Sequence, residues 1–202
     1  MSRTNSHPPV IGVLALQGDF AAHGKALESA GAKAVEVRTA EDLGGIDGLI
    51  IPGGESTTML KLLTIEQLFE PLRQFGEQKP VFGTCAGAIL LATEVLNPPQ
   101  VSLGLMDLTV ERNAYGRQID SRIAVIPFGS EDRPIEAVFI RAPIIRRTGN
   151  DAQVLASYQG DPVLVSQGKH LVATFHPELT ADARIHRHFV DMVRDTVNQP
   201  VS

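Results

Sequence analysis

Cys85 is the only cysteine in the 202-residue sequence, and it stands between two glycines. Apolar runs flank this segment, so residues 83–87 (GTCAG) are predicted to form a tight turn between a strand and a helix. The pattern is that of a nucleophile elbow, G-x-S-x-G, with cysteine in place of serine. Glycines fit where the turn crowds the backbone, and the turn leaves the side chain at its tip exposed. A helix N-terminus there would favour the reactive thiolate. A buried structural cysteine is the alternative.

His176 is the histidine best placed to act as a base for this cysteine. It ends the apolar segment VATF and precedes Pro177, which favours an extended conformation at the residue before it. Residues i and i+2 of an extended chain point to the same side, so Glu178 can bind one imidazole nitrogen while the other faces the sulfur. This is the order of groups in a catalytic triad. A His-Pro-Glu turn at the surface is the alternative.

The remaining histidines are interpreted as solvated surface residues, and they are His7, His23, His170, His186 and His188. No third ligand lies at a diagnostic spacing from His176, so no metal site is predicted. A single cysteine also excludes an intrachain disulfide and a cysteine-cluster zinc site.

A second glycine-rich segment, PGGEST at residues 52–57, follows a predicted buried strand and precedes a helix. We call it the PGG loop. Cys85 follows the next predicted strand, so the two loops should be neighbours at the carboxyl ends of a parallel sheet. Glycine N–H groups can approach a ligand closely and form an oxyanion hole. The alternatives are an ordinary turn with a Ser or Thr helix cap, and a phosphate-binding loop, which lacks its Lys-Ser/Thr pair here.

Strands and helices alternate through the first half of the chain, which predicts βαβ units and a mostly parallel sheet. Asp19 is expected to cap the first helix. The predicted strands of this half are 10–16, 34–37, 48–51 and 81–82. After about residue 103 short strands are predicted at 108–111, 122–126, 137–140, 154–158, 162–166 and 170–174, followed by a helix at 181–197. The second half is interpreted as an antiparallel excursion on the same sheet, so the fold class is α/β in a single domain.

Composition excludes several other classes of function. The net charge is −5 and aromatic residues make up 5%, with no basic patch that would indicate nucleic-acid binding. The sequence contains no run of about 18 apolar residues, so no membrane span is predicted. The first nine residues lack the apolar core of a signal peptide, and the cysteine usage suits a reducing cytosol. We expect a cytoplasmic protein with a disordered lead (1–9), one domain (10–197) and a short tail (198–202).

The motifs PGGEST, GTCAG and FHPEL, in this order, resemble those of the class I (triad) glutamine amidotransferases. The resemblance implies a three-layer, flavodoxin-like fold. Further segments resemble one member of this class more specifically, the glutaminase subunit of pyridoxal 5′-phosphate synthase. The resemblance covers about residue 10 to residue 197. These segments are LQG (16–18), PGGESTTM (52–59), ERNAYGRQ (111–118), FIRAP (139–143) and FHPELT (175–180).

The resemblance implies roles for individual residues. Cys85 would be the nucleophile, His176 its base and Glu178 the orienting acid. The backbone N–H groups of Gly54 and Ala86 would form the oxyanion hole. Glutamine would be contacted by Gly53, Gly54, Glu55, Arg112, Ile140 and Arg141. Arg112 and Glu55 could hold the charged ends of the substrate, whereas a contact at Arg141 would use the backbone. Read without the resemblance, Arg112 could equally be a surface strand residue.

The resemblance also implies a partner and no cofactor. Ammonia from L-glutamine would pass to a separate (β/α)8-barrel synthase in a ring-like hetero-oligomer. The expected dock is the face around Cys85, with Gln17 and the PGG loop nearby. Two alternatives remain open from the sequence: the glutaminase of another ammonia-channelling synthase, such as an imidazole-forming one, and a non-catalytic amidotransferase-like thiol sensor.

Overall fold

A computed structural model describes residues 7–113, 121–129 and 133–198 of the chain. The first six residues of the predicted lead, residues 114–118 of the ERNAYGRQ segment and the last four residues of the tail lie outside the described residues. The strands are β1 (Val10–Leu14), β2 (Lys33–Val37), β3 (Gly48–Ile51), β4 (Val81–Thr84), β5 (Ala92–Leu96), β6 (Met106–Glu111), β7 (Ser121–Ile126), β8 (Ile135–Ile140), β9 (Ile144–Thr148), β10 (Ala152–Tyr158), β11 (Asp161–Gln167) and β12 (His170–Ala173). The α-helices are α1 (Phe20–Ser29), α2 (Ser56–Ile65), α3 (Phe69–Gln78), α4 (Ala86–Leu91) and α5 (Arg184–Asn198), with 3-10 turns at Glu41–Gly45 and Pro177–Leu179.

A seven-stranded sheet in the order β10-β11-β12-β4-β3-β1-β2 forms the centre of the molecule. The strands from β12 to β2 are parallel, while β10 and β11 add an antiparallel edge. Every residue of β3 and β4 is buried, as expected for parallel strands covered on both faces. Leu49 and Ile51 belong to one apolar cluster and Ile50 to the other, because successive side chains of a strand alternate. The predicted α/β fold with a mostly parallel central sheet is therefore confirmed.

The helices form the outer layers of this three-layer arrangement. Buried side chains of α2, α3 and α4 join one cluster, and those of α1 and α5 join the other. Asp19 caps α1 as predicted, since its carboxylate accepts the N–H of Ala22 at 3.0 Å. In α5 the buried residues include Phe189 and Val193, four apart on one face. Across the described ranges, no helix is both long and apolar enough to cross a membrane.

The second half of the chain only partly follows the prediction of strands laid on the same sheet. β10, β11 and β12 do join it, but β5, β6 and β9 form a separate three-stranded sheet, and β7 pairs with β8 alone. β5 and β9 are both absent from the predicted strands, and β5 is hard to separate from α4 because the apolar run of that helix continues into Ala92. The choice of partner for a short strand depends on contacts distant in sequence, and a local pattern of apolar residues does not contain that information.

Candidate active site

The predicted elbow at residues 83–87 is present at the end of β4. Cys85 has a φ of +50°, in the left-handed region, and α4 begins at the next residue. A Cβ atom on Gly83 would lie 2.5 Å from the carbonyl group of Gly87, and one on Gly87 would lie 2.1 Å from the carbonyl oxygen of Ile51. Both glycines are therefore required by close backbone approach, as the sequence predicted.

Cys85 is buried, with 6% of its surface exposed, so the expectation of an exposed side chain at the tip was wrong. Neighbouring backbone covers the elbow. A Cβ atom on Gly53 would lie 3.3 Å from the Cβ of Cys85, and the carbonyl oxygen of Ile140 is 3.9 Å from the sulfur. The sulfur thus lies between the PGG loop and the end of β8 rather than at an open surface.

His176 meets Cys85 because β12 and β4 are parallel neighbours whose carboxyl ends coincide. Nδ1 of His176 is 2.7 Å from Oε1 of Glu178, which leaves Nε2 for the sulfur. The backbone N–H of His176 donates to the carbonyl of Val138 at 2.8 Å and fixes the residue against β8. Burial lowers the pKa of His176, but hydrogen bonds and charges from Cys85 and Glu178 outweigh that effect and raise the pKa to about 10. A protonated imidazole at neutral pH in turn stabilises a neighbouring thiolate.

The PGG loop lies against this pair, as predicted. A Cβ atom on Gly53 would be only 2.5 Å from Cε1 of His176, so the loop backbone touches the ring. Gly54 has a φ of +138°, which favours glycine. The side-chain amide of Gln17 donates to the carbonyl of Glu55 at 2.8 Å and supports the loop from the end of β1. Ala86 is the first residue of α4, and the N–H groups of a helix's first turn have no partner within the helix.

Glu55 is the N-cap of α2, whereas one alternative from the sequence was a Ser or Thr cap. Its carboxylate accepts the N–H groups of Thr57 at 3.0 Å and Thr58 at 2.7 Å. Partial burial raises the pKa of Glu55, but the hydrogen bonds from Thr57 and Thr58 outweigh it and lower the pKa to about 2. The residue is therefore ionised throughout the physiological range.

Arg112 extends from the end of β6 to the PGG loop. Its Nη2 donates to the hydroxyl of Thr57 at 2.7 Å and lies 3.4 Å from Oε1 of Glu55. Its side chain is 11% exposed, so it is not a solvated strand residue. Arg141 has a φ of +46° and an exposed side chain, and the carbonyl that approaches the sulfur belongs to the preceding residue, Ile140. The contact with the elbow at this end of β8 is therefore made by the backbone of Ile140.

The interpretation of the other histidines as solvated was wrong for three of them. His23 and His186 are fully buried and His170 is 7% exposed, whereas His7 is exposed and His188 is half-buried. Burial lowers the pKa of His186 to about 4, and burial together with the charges of His186 and His176 lowers that of His23 well below its usual value. Helical spacing could have revealed the burial of His186, since it lies on the same helix face as Phe189 and Val193.

His23 is also the buried histidine closest to the site. Its Nδ1 lies 2.9 Å from Nε2 of His186, and its Nε2 lies 3.2 Å from the hydroxyl of Thr84 and 3.4 Å from Oε2 of Glu178. No group of three or more His, Cys, Asp or Glu side chains in the described part of the chain could hold a metal ion.

Comparison with known proteins decides the family. The model of the SNO glutamine amidotransferase family matches residues 13–195. The chain belongs to this family. The elbow, the His176–Glu178 pair and the PGG loop all lie within the matched residues.

Similar proteins agree with membership of the SNO family. Pyridoxal 5′-phosphate synthase subunit PdxT of Solibacter usitatus is 66% identical over 186 residues, which cover 89% of this chain and 97% of that protein. The PdxT subunit of Mycobacteroides abscessus is 54% identical, over 92% of this chain and 98% of that protein. A solved glutamine amidotransferase is 47% identical with a TM-score of 0.84, over 91% of this chain and 98% of that one. PurLQS of Thermotoga maritima, at 18% identity and a TM-score of 0.63, shares the fold over 94% of this chain and 97% of that one.

Proposed function

We propose that this chain hydrolyses L-glutamine to L-glutamate and ammonia, and supplies the ammonia to a separate synthase subunit that makes pyridoxal 5′-phosphate. The observation that carries this proposal is the 2.7 Å contact between His176 and Glu178 beside the Cys85 elbow, in a chain 66% identical to a PdxT subunit. An elbow thiol, an imidazole and an orienting carboxylate are the groups that nucleophilic acyl transfer needs.

In the first half of the reaction the Cys85 thiolate attacks the side-chain amide carbon of glutamine. A C–S bond forms, and the amide oxygen takes the negative charge. The backbone N–H groups of Gly54 and Ala86 donate to this oxyanion. The imidazolium of His176 then gives its proton to the nitrogen, the C–N bond breaks, and ammonia leaves a thioester on Cys85.

In the second half water cleaves the thioester. The neutral imidazole of His176 accepts a proton from a water molecule, whose oxygen attacks the acyl carbon. The C–S bond breaks, L-glutamate is released, and the thiolate–imidazolium pair is restored. Glu178 holds the ring through Nδ1 in both halves, so Nε2 always faces the reacting atoms.

The charged ends of glutamine provide its orientation. Arg112 binds the α-carboxylate and Glu55 binds the α-ammonium group, since each charge prefers the opposite partner. The two side chains already lie 3.4 Å apart beside the PGG loop, so one substrate backbone can reach both. Gly53 and Gly54, with the backbone of Ile140 and Arg141, line the side-chain amide.

A partner synthase subunit receives the ammonia before it is protonated. The partner is a (β/α)8-barrel enzyme, assembled with this chain into a ring-like hetero-oligomer. It docks on the face around Cys85 that includes Gln17 and the PGG loop. A closed path from that face keeps ammonia away from bulk water, where it would become ammonium and lose its nucleophilicity.

A glutaminase assay with Cys85→Ala tests the proposed chemistry. Turnover should fall about 10³-fold or more, because the members of a triad act as a unit. The thermal unfolding midpoint of the variant should match that of the natural chain, which shows that chemistry and not folding was lost. Near-normal turnover in Cys85→Ala would refute the assignment of the nucleophile.

A second assay tests the partner. The natural chain is incubated with amide-¹⁵N-glutamine, with and without the barrel synthase and its sugar phosphates. Label should enter pyridoxal 5′-phosphate in the presence of added unlabelled ammonium. Label lost to the ammonium pool would show that the two subunits are not coupled.

A further inference from the structure

A buried pair of histidines lies directly behind Glu178. His23 on α1 and His186 on α5 are both fully buried, and their facing nitrogens are 2.9 Å apart. The ring of His186 is held by Phe82, whose ring centre is 6.1 Å away in an edge-on arrangement. The far nitrogen of His23 reaches Thr84 at 3.2 Å and Glu178 at 3.4 Å. The pair therefore connects two helices to the acid of the triad.

The outer end of the pair indicates where the protons are. Nδ1 of His186 is buried and has no hydrogen-bond partner among the residues that the structure describes. An unpaired acceptor is tolerated in an interior more readily than an unpaired N–H. In the neutral ring that burial favours, the proton is then on Nε2, which donates to Nδ1 of His23. With Nδ1 of His23 an acceptor, its own proton is on Nε2.

The surroundings of Glu178, at the inner end of the histidine pair, independently place the proton of His23 on Nε2. Oε1 of Glu178 is occupied by His176, and no aligned hydrogen bond reaches Oε2 among the described residues. The Glu178 side chain is 1% exposed. Nε2 of His23 is 3.4 Å from this oxygen, long for a hydrogen bond, and a lone pair on that nitrogen would repel the carboxylate. An N–H there attracts Oε2 electrostatically, while its hydrogen bond, at 3.2 Å, is with the hydroxyl of Thr84.

We propose that His23 is a positioning residue for the triad, whose Nε2–H, oriented by His186, holds Oε2 of Glu178 so that Oε1 faces His176. The proposal rests on the proposed function, because it gives His23 an effect on glutamine turnover. Glu178 lies on a three-residue 3-10 turn, which by itself restrains the side chain little. The two rings, set by α1 and α5, supply the restraint that the turn lacks.

Two amide substitutions of His23 separate its two contacts. The amide nitrogen of His23→Gln reaches the place of Nε2 and still presents an N–H to Glu178, whereas the shorter His23→Asn reaches only the place of Nδ1. We expect His23→Asn to lower kcat about ten- to hundred-fold, as outer hydrogen-bond partners of a site typically do, with KM for glutamine unchanged. His23→Gln should stay within about threefold of the natural kcat. A loss of only structural order would affect both variants alike.

The control is His170→Asn, the same change at another buried histidine, whose Nδ1 accepts the N–H of Val81 at 3.2 Å at the opposite end of β4. Its kcat should equal that of the natural chain. Equal losses in the two His23 variants, or a natural kcat in His23→Asn, would overturn the proposal.

A tautomer measurement on the natural chain does not depend on any variant folding. Imidazole ¹⁵N chemical shifts should show His23 protonated at Nε2 and unprotonated at Nδ1. The reverse tautomer would overturn the proposal even with full glutaminase activity. A natural chain without glutaminase activity in the presence of the barrel synthase would refute the proposed function instead, and the tautomer would still decide the arrangement of the pair.

Discussion

Gly87 packs so closely against β3 that a Cβ atom on it would lie 2.1 Å from the carbonyl oxygen of Ile51. This contact joins the elbow to the strand that leads into the PGG loop. The contact fixes the position of Cys85 relative to Gly53, and the backbone of Gly53 in turn contacts the ring of His176. The second glycine of the elbow therefore positions three parts of the site at once, in addition to permitting the turn.

Gly87→Ala should disrupt this arrangement. The atom that the new methyl group meets is a backbone oxygen of a central strand, which cannot rotate away, so α4 or β3 must shift. We expect a loss of about 1–3 kcal/mol in the free energy of unfolding, measured by urea denaturation, together with lower glutaminase activity. Gly44→Ala is the matched control, because nothing lies within 4 Å of a Cβ there, and its stability should change by less than about 0.5 kcal/mol. Similar stabilities of the two variants would contradict the packing argument.

Glu178→Gln should separate charge from shape in the triad. The amide oxygen can still accept from Nδ1 of His176, but it no longer stabilises the imidazolium. We expect kcat to fall about 10²- to 10⁴-fold with little change in KM, since the residue does not contact substrate. Steady-state kinetics check this, with Glu77→Gln, an exposed partner of Arg73, as the unaffected control. A loss below about threefold would show that the carboxylate charge is not needed.

Arg112→Met should affect binding more than chemistry. Removing the guanidinium takes away a charge-assisted hydrogen bond to the substrate carboxylate, which corresponds to a rise in KM of about tenfold or more. Arg112→Lys should have an intermediate KM, because lysine retains the positive charge but lacks the paired N–H donors of the guanidinium group. Arg146→Met, which removes an ion pair with Glu111 away from the PGG loop, should leave KM unchanged. Equal KM values for Arg112→Met and the natural chain would remove Arg112 from the proposed substrate site.

Local pattern was sufficient to find the elbow, because steric crowding acts over a few residues. Gly83 and Gly87 are needed for contacts that their spacing already implied. His176 and Glu178 do lie 2.7 Å apart, but a 3-10 turn at Pro177–Leu179 brings them together and not the predicted extended chain. The burial of Cys85 could not be predicted in the same way. It depends on Gly53 and Ile140, which approach from other strands of the fold.

The pairing of the buried histidines is not visible in the local sequence for a different reason. His23 and His186 are 163 positions apart, so nothing local suggests that they pair. The spacing of His186 from Phe189 and Val193 does indicate burial, whereas the many charged residues of the same helix favour a solvated histidine. Likewise β7 and β8 were predicted as strands, while their separation from the main sheet is a property of the whole fold.

Acid should destabilise the protein through its buried neutral histidines, and His170 offers a clean test. Burial, with a smaller effect of the Lys169 charge, lowers the pKa of His170 to about 4. Between the unfolded value near 6.5 and pH 4, the unfolded chain binds a proton that the folded chain does not, so stability falls as pH falls. Its contribution is fully present above pH 6.5 and should be reduced by about 2 kcal/mol at pH 5. His170→Asn keeps an acceptor for Val81 but cannot titrate. Urea unfolding at pH 7, 6 and 5 should therefore show the variant losing less stability than the natural chain, and parallel pH profiles would contradict a buried neutral His170.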